Sequence, residues 1–255
     1  MEQEISRKAV QYGAGTRAQS AAVDEGLRAH MLNVYNYMTV ALAVTGFVAL
    51  LTFKAAVVGD VSTGQYTLTA LGETLYLSPL KWVVMLAPLG FIIFLSARIS
   101  AMSTATAQMT FWAFAGIMGL SLSSIFISYT GESITRVFFI TAAMFGSLSL
   151  YGYTTKRDLS GMGTFLFMAL IGLIIAMVVN WFMQSEMMAY IISIVGVLLF
   201  AGLTVWDTQM IKNLYLGSRE NEDTVGKLAI MGALRLYLDF LNMFLFLLRL
   251  FGNRN

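Results

Sequence analysis

An all-α membrane protein with seven transmembrane helices is the fold class this 255-residue sequence predicts, and three observations carry it. The chain is 58% hydrophobic and only 12% charged, with a mean hydropathy of +0.73. A soluble domain carries about 25% charged residues, so lipid is the expected solvent for a chain this poor in charge. Apolar runs near the ~20 residues that a helix needs to cross roughly 30 Å of hydrocarbon recur along the whole length. These runs are apolar all round, whereas the strands of a membrane barrel alternate polar and apolar residues over short segments.

Residues 1–30 mix Glu2, Glu4, Arg7, Lys8, Arg17, Asp24, Glu25 and Arg28 without an apolar core. A secretory signal needs an apolar run soon after a basic start, so this stretch reads as a polar tail, and residues 31–255 as one membrane domain. The first span covers Asn33–Phe53. The second covers Leu80–Arg98, with a kink expected at Pro88. The third is Thr106–Ser128 and the fourth Val137–Thr155. The fifth is Gly161–Met183 and the sixth Met187–Lys212. The seventh, Leu228–Gly252, is the one that carries charge. Most connections are short. The exception, 54–79, is rich in Gly and Thr, and the weak alternation of Gln65–Leu71 suggests a small hairpin. Gly116 and Gly119 with Ser121, Ser123 and Ser124 give the third helix a small-residue face suited to close packing.

Basic residues orient the spans. Arg7, Lys8, Arg17 and Arg28 in the tail fall on one side together with Arg98, Lys156, Arg157, Lys212, Arg219 and Lys227. Lys54, Lys81 and Arg136 lie on the other. The N-terminus is therefore expected in the cytoplasm. A seventh segment that spans puts the C-terminus outside, and a re-entrant one returns it inside.

An ionisable residue inside a span is costly, by roughly 2.5–3.5 kcal/mol on insertion scales, and marks a functional site by default. Asp239 is such a residue, and Asp207 closes the apolar run of the sixth helix. Five residues separate Asp207 from Lys212 and four separate Arg235 from Asp239. At ~1.5 Å per residue, each acid lies roughly 6–8 Å inward of its basic neighbour. The two helices run in opposite directions out of one loop, so both carboxylates are expected at similar depth. Arg98, ending the second helix, lies on the same face. Two carboxylates in contact cannot both ionise cheaply, so they share a proton. Protonated, they hold two helices together; deprotonated, they repel or recruit a cation. They are also hard oxygen ligands of the kind calcium takes.

Plainer readings exist for each residue. Asp207 can be wetted by headgroups at a helix end. Asp239 can pair with Arg235 on its own helix face. Arg98 can snorkel as an ordinary anchor. Against these, Gly232, Arg235, Asp239, Asn242, Phe246 and Arg249 recur near helical spacing, a polar stripe suited to the bundle interior. Asn180 and Trp181 read as interfacial, and His30 as lying at the membrane surface.

Other chemistry is excluded. With no cysteine and one histidine there are no disulfides, thiolates or His-rich metal sites. No Walker loop, HExxH or serine–histidine arrangement occurs, and a net charge of +2 does not suggest nucleic acid. An intramembrane aspartyl protease also uses two helix-borne acids, but neither Trp206-Asp207-Thr208 nor Leu238-Asp239-Phe240 matches GxGD. No enzymatic activity and no cofactor are expected.

Leu236-Tyr-Leu-Asp-Phe-Leu-Asn-Met-Phe-Leu-Phe-Leu-Leu-Arg-Leu-Phe-Gly252 closely resembles the C-terminal signature of the Bax inhibitor-1 family. Trp206-Asp207-Thr-Gln-Met-Ile-Lys212 resembles that family's sixth-helix motif, and Gly26-Leu-Arg-Ala-His-Met-Leu-Asn-Val-Tyr-Asn-Tyr37 its bacterial members. The resemblance implies a last helix that is central and wrapped by the other six. It implies a pH-sensitive calcium leak in the cell inner (plasma) membrane, gated by a proton-sharing pair at Asp207 and Asp239, with Arg98 as a latch. Arg235 and Asn242 are supporting polar groups. Some relatives carry a second-helix acid, and none lies within Leu80–Ala97. The alternative implied by a bacterial branch is modulation of a membrane-anchored AAA protease by protein contact, with weight on residues 1–25.

Overall fold

The computed structural model describes the backbone of residues 2–218 and 222–255, and the side chains of residues 24–218 and 223–255. The side chains of Arg7, Lys8, Arg17 and Arg219 lie outside the described residues.

Seven long helices follow the apolar runs: α1 Glu2–Ala56, α2 Leu80–Arg98, α3 Thr104–Leu122, α4 Gly131–Thr154, α5 Ser160–Met183, α6 Glu186–Gly217 and α7 Glu222–Phe251. Each holds a stretch long and apolar enough to cross a membrane. Apart from the third, the expected spans lie on these elements to within one residue at their ends, and the elements overrun them where polar residues extend the helix past the apolar run. α1 shows this most. No proline interrupts residues 2–56, so the polar stretch and the first span share one helix, whose membrane-suited part is Asp24–Ala56. Pro88 lies inside α2 and is buried. Side-chain caps mark three starts. Ser103 accepts from the Thr106 N–H, Thr130 from Ser133 and Ser185 from Met188, each satisfying a backbone donor that the first turn leaves orphaned.

The third expected span is split. α3 ends at Leu122, and a short helix, Ile125–Ser128, continues the run. At the break the Ser123 hydroxyl donates to the Leu120 carbonyl at 2.7 Å and accepts from the Tyr76 hydroxyl at 2.9 Å. The connection between α1 and α2 contains the expected hairpin. Strand β1, Val57–Asp60, pairs antiparallel with β2, Gln65–Leu68, in the register Val57↔Leu68 and Asp60↔Gln65.

α7 forms the axis of the bundle. Tyr237, Ile230, Leu236 and Met243 are among the largest fully buried side chains, and all come from it. The most extensive packing is α6 on α7. α1, α3 and α4 also pack directly on α7, whereas α2 and α5 attach to the bundle chiefly through α3 and α6. Close helix approach relies on missing side chains. A Cβ at Gly119 would meet the Thr45 carbonyl of α1, and one at Gly152 the Val205 carbonyl of α6. The small-residue face expected on the third helix thus works at Gly119, while Gly116 faces open space.

Among its buried apolar side chains the bundle satisfies polar groups internally, and large apolar side chains stand outside. Buried Thr141, Ser193, Thr204 and Thr208 each donate to the carbonyl four residues back, at 2.7–2.8 Å. Phe165, Phe167, Met168, Phe182 and Leu198 stand exposed. That arrangement suits a hydrocarbon solvent, which satisfies no polar group.

α7 crosses the full thickness. Near its start, the Thr104 hydroxyl donates to Asp223 at 2.7 Å and Lys227 Nζ reaches the Ser100 carbonyl at 3.5 Å, both at the α2–α3 connection. Past its end, Thr130 N–H donates to the Asn253 carbonyl at 3.0 Å and Tyr129 bridges Arg254, at the α3–α4 connection. α3 runs between those two connections, so α7 runs the same distance beside it. The seventh segment therefore spans rather than re-enters.

Candidate functional site

Asp207 on α6 and Asp239 on α7 are both buried, and their carboxylates lie within hydrogen-bonding reach of each other. The equal depth expected from sequence spacing is the depth the bundle gives them. Asp239 Oδ2 is buried with no partner. Arg235, half exposed, donates from Nη1 to Asp207 Oδ1 at 3.4 Å. The plainer reading, in which Arg235 neutralises Asp239 four residues along its own helix, is not the ion pair formed. The guanidinium crosses to the acid of α6 instead.

Arg98 is exposed at the end of α2 and forms no ion pair with either carboxylate. A long cationic side chain at a helix terminus reaches the wet interface readily, whereas Arg235 starts one helical turn from Asp239. The cation in contact with the pair is therefore Arg235 rather than the expected Arg98. Asn242 donates to the Leu238 carbonyl at 2.8 Å, which leaves its side-chain oxygen free for the adjoining space.

That space is a groove of about 940 Å³ between α2, α5, α6 and α7. Arg235, Asp239, Asn242 and Asp207 supply its polar wall, and Leu89, Ile92, Phe167 and Phe246 much of its apolar wall. It exists because α2 and α5 are the two helices that do not pack tightly on α7. At their far ends Trp82 and Trp181 approach with ring centroids 6.3 Å apart. Trp181 is exposed there and the Asn180 side chain accepts from the Ser185 N–H at 3.2 Å, in keeping with an interfacial position.

The sequence reading missed the supports around the acids. Gln209 accepts from the Leu159 N–H and donates to the Arg157 carbonyl, both at 2.8 Å, tying the α4–α5 connection to α6. Lys212 Nζ donates to the Tyr153 carbonyl at 2.9 Å, placing a cation at the end of α4 where carbonyls lack partners. Asp158 accepts from the Ser160 N–H at 2.9 Å, and those Ser160 contacts hold its carboxyl below the usual carboxylate range. Tyr35, Ser149 and Thr208 form a chain of hydroxyls at 2.7 and 2.9 Å that stitches α1 to α4 and α6. The Thr45 hydroxyl meets that of Tyr237 at 2.6 Å. The available signal was weak: isolated polar residues in apolar runs, none with a spacing that names its partner. His30, expected at the membrane surface, is buried against the end of α6, stacked on Tyr215 at 4.6 Å. Gly26, one turn earlier, leaves room for the Tyr215 hydroxyl.

No group of three or more His, Cys, Asp or Glu suited to a metal occurs among the described residues. The carboxylate pair with Asn242 is too small a donor set to hold calcium tightly, since calcium takes about 6–8 oxygens.

The sequence matches the family model described as inhibitor of apoptosis-promoting Bax1 over residues 27–255. It is 45% identical over 232 residues to the inner membrane protein YbhL of Escherichia coli strain K12, covering 90% of this chain and 93% of that one. It is 44% identical over 239 residues to an uncharacterized protein, RP147, of Rickettsia prowazekii, covering 94% and 95%. An uncharacterized protein of Caulobacter vibrioides is 39% identical over 231 residues, covering 91% of each chain. With seven apolar helices and a family match that starts at the first span and runs to the last residue, the chain belongs to the Bax inhibitor-1 family of multi-pass membrane proteins.

Proposed function

We propose that this protein is a pH-sensitive calcium leak of the inner membrane, gated by a proton shared between Asp207 and Asp239. The observation that carries this reading is two buried carboxylates from different helices, in mutual reach at the wall of a 940 Å³ groove, with one guanidinium beside them. The charge balance supports it. One shared proton leaves a single negative charge on the pair, which Arg235 matches. Loss of that proton leaves one negative charge uncompensated in a low-dielectric setting, so the acids either separate or take up a cation. α6 and α7 would then part at the groove that α2 and α5 flank. Membership of the family and the inner-membrane location named for the E. coli relative support the same setting. The N-terminus is taken as cytoplasmic because Arg98, Lys156, Arg157, Lys212 and Lys227 share its face.

The test is calcium efflux from proteoliposomes across a pH series. Efflux is expected to rise with pH, because deprotonation creates the repulsion. A single proton changes the open population by at most about tenfold per pH unit. Asp239→Asn and Asp207→Asn each remove one titrating partner and are expected to flatten the profile. Efflux in both variants that follows the wild-type pH profile would show that the pair is not the gate. Absence of calcium efflux in the wild type at every pH would rule out the leak itself.

A further inference from the structure

Another cavity, of about 570 Å³, lies between α1 and α4. Its size falls within the ~300–1,000 Å³ usual for small-molecule sites. It is graded in polarity. Arg28 and Tyr153 lie at the end nearest the α4–α5 connection, and Met38, Thr39 and Phe145 at the other. From Arg28 to Thr39 is eleven residues, ~16 Å of helix, or about half the ~30 Å hydrocarbon thickness. The cavity therefore has the length of one leaflet.

Its walls suit an acyl chain. Met31, Met38 and Phe145 are buried along the floor, and exposed Leu32 and Leu150 form the rim. The floor hydroxyls of Tyr35 and Ser149 bond to each other at 2.7 Å, so an apolar chain laid over them strands neither. The trough is open at Gly146, where a Cβ would meet nothing within 4 Å. At the polar end Arg28 is exposed and has no hydrogen bond or ion pair among the described residues. Asp24 stands four residues before it but forms no ion pair with it. A guanidinium matches the oxygens of a phosphate in a planar, bidentate fashion.

We propose that this cavity binds one anionic phospholipid of the surrounding bilayer, its phosphate on Arg28 and one acyl chain along Met31, Met38 and Phe145 past Gly146. The net negative headgroup is selected because Arg28 presents its cation there and no acid among the described residues pairs with it. The occupant sits on the Tyr35–Ser149–Thr208 hydroxyl chain, so its presence braces α1, α4 and α6 just beside Asp207.

The experiment titrates full-length protein in detergent with phosphatidylglycerol and with phosphatidylcholine of the same acyl chains. Bound lipid is counted by native mass spectrometry. One phosphatidylglycerol per chain is expected, preferred about fivefold over phosphatidylcholine, the factor a single cation near an anionic surface supplies. Gly146→Leu puts a side chain into the trough at a position where its Cβ meets nothing within 4 Å, and is expected to abolish that bound lipid while leaving the thermal midpoint unchanged. Arg28→Gln keeps chain binding but loses the preference between headgroups. Gly172→Leu, in similarly open space on α5, changes nothing. Wild-type lipid retention in Gly146→Leu, or equal binding of the two lipids by the wild type, overturns the proposal. Should Gly146→Leu fail to fold, Leu32→Trp closes the rim from α1, and undiminished lipid binding by that variant overturns it equally.

Discussion

α5 and α7 are both apolar spans, yet they solve opposite problems. α5 is the more hydropathic, and only 11% of its most apolar window is buried; for α7 the figure is 72%. In water the most apolar helix would be the core. Here lipid takes up apolar surface as readily as protein does, so α5, the most apolar helix, can stand at the rim, and the helix that carries Arg235, Asp239 and Asn242 moves to the axis. α7 is central because it carries charged and polar side chains in mid-span that lipid cannot satisfy. α5 and α2 are loose because nothing polar holds them inward, and that looseness leaves the groove beside the acids.

Substitutions that should break this contrast differ in size. The largest effect is expected at Gly152, where α4 meets the Val205 carbonyl of α6. Gly152→Leu overpacks that crossing and should cost about 3 kcal/mol, read by denaturant unfolding in mixed micelles. Tyr237→Phe deletes the hydroxyl that meets Thr45 deep in the bundle, and about 1 kcal/mol of stability should go with it in the same assay. Arg235→Gln removes the cation of the Asp207 pair. Because Arg235 is half exposed, its stabilising contribution is screened, and the loss should stay near or below about 1 kcal/mol. The smallest effects belong to α5. Gly172→Leu and Phe182→Ala should each shift stability by less than about 0.5 kcal/mol, because these positions face open space or stand exposed. If the α5 substitutions cost as much as Gly152→Leu, the division between a lipid-facing rim and a packed axis is wrong.

Much of the fold was legible before any coordinates. The second helix, Leu80–Arg98, has the bounds its sequence predicts, because Pro79 precedes it and the apolar run between is unbroken. The hairpin at Gln65–Leu68 was readable from its alternation. The start of α1 was not, since polar residues signal exposure and not the absence of helix. Within the site, the depth of Asp207 and Asp239 followed from rise per residue and a shared loop. Their lateral contact did not. The partner of Arg235 also escaped, because i, i+4 spacing offered Asp239 on its own helix while the rotation of α6 against α7 turned the guanidinium to Asp207. The burial of His30 also escaped, because nothing in its own neighbourhood announces the Tyr215 ring that covers it.

By itself the sequence determined what each segment costs to place in lipid: seven spans, the one that carries buried charge, and the level at which its acid sits. These follow from composition and length, which are properties of one segment at a time. The tertiary structure alone decided which face of each helix meets which neighbour. It thereby decided that Asp239 meets Asp207, that Arg235 rather than Arg98 attends them, and that one cavity opens beside the acids and another between α1 and α4. Those outcomes depend on the relative rotation of helices packed through Gly119 and Gly152 and their like, which no single segment encodes.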